Sequence, residues 1–160
     1  MNAAKRYVTG AVTMILLFTL FPATTASAAC YSPTKKERQF VRKMNRERVE
    51  AGKAPLKLDL EVSKVSKTHT RAMAKNDSLY HTASDVLSRR VTNWILLGEN
   101  VGVGGSVGSL HQAFMNSPAH RANIMLTSFK YVGVGTVQTA DRLWVTVTFE
   151  AKSNPGSPLC

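Results

Sequence analysis

The stretch from Phe129 to Lys152, "FKYVGVGTVQTADRLWVTVTFEAK", decides the fold. Tyr131 to Val137 and Leu143 to Phe149 are rich in β-branched and aromatic residues, which suit a pleated and half-buried surface. "QTAD" between them supplies a polar turn, so the two runs form a hairpin. Upstream, "NWILLGENVGVGG" (93–105) opens with an apolar run, Trp94 to Leu97, expected to be a buried strand or an extended entry. Its glycines at 98, 102, 104 and 105 require a turning backbone with few side chains.

The remaining segments carry the helical period. Between Thr34 and Ala51, apolar residues recur at Phe40, Val41, Met44 and Val49, and Gly52 ends the stripe. "APLKLD" (54–59) is extended and leads into a second stripe at Val62, Val65, His69, Ala72, Met73 and Asn76. On that stripe His69 is a buried histidine satisfied by one hydrogen-bond partner. Ser84 and Asp85 open a short third helix, Val107 to Met115 form a fourth with Leu110 and Phe114 inward, and His111 takes no assigned role. Ser117 followed by Pro118 starts a fifth, the serine oxygen accepting from free backbone N–H groups and proline occupying a position where its missing donor costs nothing. Helices, a glycine-rich strand and a final hairpin make an α+β single domain: an antiparallel sheet flanked by helices.

The first 28 residues pair Lys5 and Arg6 with an apolar run and then Ala26-Ser27-Ala28, the pattern of a secretory signal peptide cleaved after Ala28. The run is shorter than the roughly 20 residues of a membrane span. The expected mature chain, 29–160, is one secreted, extracellular, monomeric domain with a core of about 34–150. Cys30 and Cys160, one near each end of it, suggest a disulfide in an exported protein. The alternative for Cys30 is lipid anchoring, although Ser27 stands where a lipoprotein signal normally has an aliphatic residue.

Of 21 basic residues two lie in the signal, which leaves 19 against 10 acidic and a net charge of +9. The excess is concentrated between Lys35 and Lys75, where solvated helix faces are the simpler explanation and weak association with anionic surfaces the alternative. No aromatics interleave with these charges as a single-strand nucleic-acid binder would need, so no specific nucleic-acid partner is expected. The glycine-rich run lacks both the Gly-Lys-Ser/Thr ending of a phosphate loop and a strand-turn-helix dinucleotide unit, and no Cys-x-x-Cys pair marks a redox centre.

His120 lies in the first turn of the fifth helix, where the partial positive charge of the helix end disfavours a protonated ring. A neutral imidazole can bind a metal or accept a proton.

"MNRERVEAGKAPLKLDLEVSKVSKTHTRAMAKNDSLYH", "GENVGVG", "NSPAHRANIM", "YVGVGTV" and "LWVTVTFE", in that order, resemble the bacterial secreted, SCP-like branch of the CAP superfamily, which includes cysteine-rich secretory proteins, venom antigens and plant pathogenesis-related proteins. The resemblance covers roughly Thr34 to Glu150 and implies an α-β-α sandwich. It also implies a cleft in which two histidines, here His81 and His120, hold zinc or another divalent cation, with Glu99 of "GEN" beside them. Where many eukaryotic members carry a second glutamate, this chain has Ser117. Glu99 is expected to orient a histidine or a water, and Asn100 and Asn123 to satisfy backbone groups near the cleft.

Two functions follow. One is a non-catalytic module binding a divalent ion and a lipid-like or cell-envelope ligand. The other is a metal-dependent hydrolase using Glu99 and a histidine-bound metal, with His120 as the further catalytic candidate. A triad of Ser117, His120 and Glu99 is weaker, since capping already explains the serine.

Overall fold

The structure, a computed structural model, describes residues 31–152; the expected signal peptide and the expected Cys30–Cys160 disulfide lie outside the described residues. The expected hairpin forms from β3 (Tyr131–Gln138) and β4 (Leu143–Lys152), in register from Tyr131 opposite Glu150 to Gln138 opposite Leu143. β2 (Trp94–Gly104) pairs antiparallel with the far edge of β4. "APLKLD" does more than link helices: Lys57 and Leu58 form β1, which pairs in parallel with Tyr131 and Val132. The sheet is therefore mixed, in the order β1-β3-β4-β2, rather than wholly antiparallel. A two-residue strand is too short to leave a periodic signal, and its pairing depends on a partner more than seventy residues away.

Helices cover both faces. α1 (Lys35–Glu50), α4 (Val107–Asn116) and α5 (Pro118–Met125) lie on one side, where Phe40, Met44, Phe114 and Ile124 share a core with Val132, Val145, Val147 and Phe149. α2 (Leu60–Asn76) and α3 (Ser84–Arg90) lie on the other. Alternation of side chains along a strand explains why β4 is buried throughout Leu143–Ala151: odd residues face one layer and even residues the other.

α2 rests directly on the backbone of β3. A Cβ added at Gly133 would stand 2.2 Å from backbone atoms of Val62 and Ser63, and one at Gly135 would stand 2.5 Å from those of Ser66 and Lys67. At this close approach Ser66 Oγ donates to the Gly133 carbonyl and Thr70 Oγ1 to the Gly135 carbonyl, both at 3.1 Å. Glycine on the strand and small hydroxyls on the helix are thus one packing solution. Glu37, fully buried at the start of α1, accepts from the N–H groups of Thr34 and Thr136 and from Lys67 Nζ. Burial pushes its carboxyl up, but Lys67 and these backbone donors hold it below the ordinary range.

Three local expectations change. Val49 is 58 % exposed, and Asn76 at the end of α2 is exposed. Trp94, Ile95 and Leu96 are exposed rather than buried: the start of β2 pairs irregularly with the last residues of β4, and among the described residues Trp94 reaches only the Ser88 carbonyl of α3 through its Nε1. His69 is buried as expected, its Nε2 2.8 Å from the Tyr80 carbonyl.

Candidate functional site

Glu99 and Asn100 are neighbours on β2 and so project to opposite faces of the sheet. Glu99 turns toward the loop that follows α2. Its Oε1 lies 3.0 Å from His81 Nδ1 and accepts from the Thr82 N–H at 2.8 Å, while Oε2 accepts from the Thr82 hydroxyl at 2.7 Å. The Glu99 side chain is 6 % exposed, whereas that of His81 is 57 % exposed. A carboxylate bound to Nδ1 fixes the tautomer and leaves the Nε2 lone pair of His81 available.

On the other face Asn100, fully buried, donates from Nδ2 to the His120 carbonyl at 3.0 Å. Asn123 Nδ2 donates to Asn100 Oδ1 at 2.9 Å and to the Glu99 carbonyl at 3.3 Å. The two amides thus tie the first turns of α5 to β2. The His120 ring packs on Phe114 with centroids 4.9 Å apart. Burial, followed by the nearby charge of His81, holds its imidazole below the ordinary histidine range. Gly98 leaves room for this junction, since a Cβ there would meet the Phe129 ring at 2.8 Å and Asn123 Oδ1 at 3.1 Å.

Ser117 is the residue before α5, with Pro118 at the first helical position, but its side chain makes no capping hydrogen bond. The residue also closes α4, its N–H bonded to the carbonyls of Ala113 and Phe114, and that double position replaces the cap expected from the sequence. No hydrogen bond joins Ser117 to His120 among the described residues, nor do the described residues contain a group of three or more His, Cys, Asp or Glu side chains able to hold a metal ion. Thr82 was missed by sequence reasoning. Its place next to His81 in the chain is the signal that could have found it, since one loop then supplies three contacts to Glu99.

A cavity of about 450 Å³ opens beside this group, with Leu87, Trp94, Leu96 and Leu97 along it and His81 and Glu99 at one end. A second, of about 310 Å³, lies across the loop and is lined by His69, Tyr80, His81 and Arg90 among others.

The family model described as the cysteine-rich secretory protein family, CAP, matches residues 41–149. The chain belongs to that family. Among relatives of this CAP domain, the YkwD protein of Bacillus subtilis is 28 % identical over 127 residues, 75 % of this chain and 49 % of its own length. The chain thus spans about half of that relative. Among solved structures, an outer surface protein of Borrelia burgdorferi matches with a TM-score of 0.68 at 19 % identity, covering 76 % of this chain and 97 % of its own. An extracellular protein containing an SCP domain from Bacillus anthracis matches with a TM-score of 0.64 at 24 % identity, over 73 % of this chain and 40 % of its own. These likenesses give the CAP α-β-α fold.

Proposed function

We propose that this CAP domain works outside the cell as a non-catalytic, monomeric binding module, whose cleft holds a divalent cation such as zinc between His81 and His120. The supporting observation is the pairing of Glu99 with His81 Nδ1, which leaves the Nε2 lone pair of His81 available, together with a His120 imidazole that burial holds below the ordinary histidine range. Two neutral imidazoles and water fit an open zinc site, not the closed four-ligand kind that holds a fold together. A bound cation would supply Lewis acidity and charge at the cavity mouth. The apolar wall of Leu87, Trp94, Leu96 and Leu97 then suits a lipid-like or cell-envelope ligand with a polar end at His81. Exposed basic residues of α1 and α2 add weak, salt-sensitive attraction to anionic surfaces.

The hydrolase reading is less well supported. A general base needs an accessible oxygen near a substrate or water, and the Glu99 carboxylate is nearly buried, with three contacts from His81 and Thr82 on its two oxygens. The test is to incubate the purified domain with zinc and a panel of peptide, ester and cell-wall substrates, and to analyse the natively secreted protein by mass spectrometry for a co-purifying ligand. An apolar ligand without turnover is the expected result. Turnover abolished by Glu99→Gln with the fold unchanged would overturn the binding-only reading.

A further inference from the structure

Away from the cleft, where the end of β4 meets the start of α2, Lys152 is enclosed with Asp59 and Glu150. Asp59 and Glu150 are fully buried and the Lys152 side chain is 5 % exposed. Lys152 Nζ lies 3.3 Å from Asp59 Oδ2, 2.9 Å from Glu150 Oε2 and 3.9 Å from Glu61 Oε2, and 5.4 Å from the centre of the Tyr131 ring. One ammonium cannot neutralise three carboxylates, and burying an uncompensated charge is costly. Among the described residues Lys152 Nζ is the one group that faces Asp59 Oδ2 and Glu150 Oε2, and Glu150 Oε1 is buried without a hydrogen bond, so one ammonium serves two buried carboxyls.

The two oxygens of Asp59 have different surroundings. Oδ1 accepts from the N–H groups of Glu61 and Val62 at 2.8 and 3.2 Å, at the positive N-terminal end of α2. Oδ2 faces the lysine. The cluster therefore combines paired N–H donors for an oxyanion, an oxygen able to leave, an amine as nucleophile and a second carboxyl to carry protons, which are the components of acyl transfer.

We propose that Lys152 and Asp59 become joined by an isopeptide bond, formed by the folded chain itself with Glu150 as proton carrier. Protonated Glu150 passes its proton to Asp59 Oδ2 and receives one from the Lys152 ammonium. The freed Nζ lone pair attacks Cγ, the C–N bond forms, and charge gathers on Oδ1 between the two N–H donors. Glu150 then moves a second proton from Nζ to Oδ2, the Cγ–Oδ2 bond breaks and water leaves. The result is a neutral amide, and Glu150 ends protonated as it began. Nothing is oxidised or reduced, and no co-reactant is consumed. Oδ1 remains as the amide oxygen, so the start of α2 keeps its cap.

The protonation of Glu150 suits its role, and that of Lys152 sets the rate. Burial pushes the Glu150 carboxyl above its ordinary range, against the contact with Lys152 and with the help of Asp59 and Glu61. For Lys152 burial pulls the other way, but Glu150 and Asp59 hold the ammonium above its usual range, so bond formation waits on proton transfer and is slow.

The experiment is an intact-mass measurement on the secreted, reduced and denatured chain, its N-terminus fixed by sequencing, after prolonged incubation at neutral pH, followed by tandem mass spectrometry of its peptides. The expected wild-type mass is lower than the sequence mass by one water, with the Asp59 and Lys152 peptides linked. Lys152→Arg and Glu150→Gln should show the full mass, the latter with an unchanged circular dichroism spectrum. Asp59→Asn should lose one ammonia instead. A wild-type mass with nothing lost overturns the proposal, and so does a link mapped to Glu150 or Glu61.

Discussion

Glu99 receives His81 Nδ1 at 3.0 Å on the same oxygen that accepts the Thr82 N–H at 2.8 Å. The carboxylate thereby sets both the rotation of the imidazole and the path of the loop that carries it. Glu99→Gln keeps the shape but can satisfy fewer of these donors, so zinc affinity should fall about 10- to 100-fold, as for other losses of a partner behind a metal-binding histidine. Isothermal titration with zinc checks this; an unchanged affinity would mean that Glu99 does not orient His81.

Gly133→Ala is expected to be among the most destabilising single-methyl additions in the chain. Its new Cβ would meet backbone atoms 2.2 Å away that cannot rotate aside, so α2 would have to lift from β3, at a cost of about 3 kcal/mol. Gly52→Ala meets nothing within 4 Å and carries only the strain of a positive φ, about 1 kcal/mol. Urea denaturation of the two variants should separate them in that order.

Arg48 is a buried arginine held by carbonyls. Its Nε donates to Ala54, Nη1 to Ile124 and Leu126, and Nη2 to Phe129, which fastens the end of α1 to the end of α5. Arg48→Met should fill much of the volume yet orphan these acceptors, at about 3 kcal/mol or more. A chemical-denaturation midpoint within error of wild type would show that water replaces the guanidinium.

These contacts mark where the sequence was legible and where it was not. Helical stripes and the β-branched runs of the hairpin are local patterns, and they place α1, α2, β3 and β4 because burial repeats along a single element. His81, Glu99 and His120 were reachable through ordered motifs. Long-range features left no local trace: the parallel pairing of Lys57 with Tyr131, the seat of Arg48 among carbonyls of three other segments, and the meeting of Asp59 with Lys152. Trp94 to Leu96 differ from expectation for a related reason, since apolar composition shows that a strand can be buried but not which neighbours cover it.

His111 is 3 % exposed, packs edge-on against Phe40, and among the described residues its Nε2 has no hydrogen-bond partner. Burial, with smaller contributions from Lys43 and Arg46, holds its imidazole below the ordinary range despite Glu47. The unfolded chain therefore binds a proton at about pH 6.5 that the folded chain refuses, so stability is full above that pH and falls as the solution is acidified toward the lower folded value. His120 acts in the same direction. Thermal melts between pH 7.5 and 5 should show this loss, and His111→Leu should flatten it; an equal slope in the variant would remove His111 as a cause.

The zinc response of the histidine variants tests the proposed cleft most directly. With zinc at a hundred times its dissociation constant, binding to the folded state alone stabilises wild type by about 2.7 kcal/mol, seen as a rise in melting temperature at pH 7.5 that fades at pH 5.5 as protons compete for the rings. His81→Ala and His120→Ala should each lose most of that rise, because one imidazole and water make a poor site, while His69→Ala should retain it despite a lower melting temperature. An equal zinc shift in wild type and His120→Ala would contradict the two-histidine site.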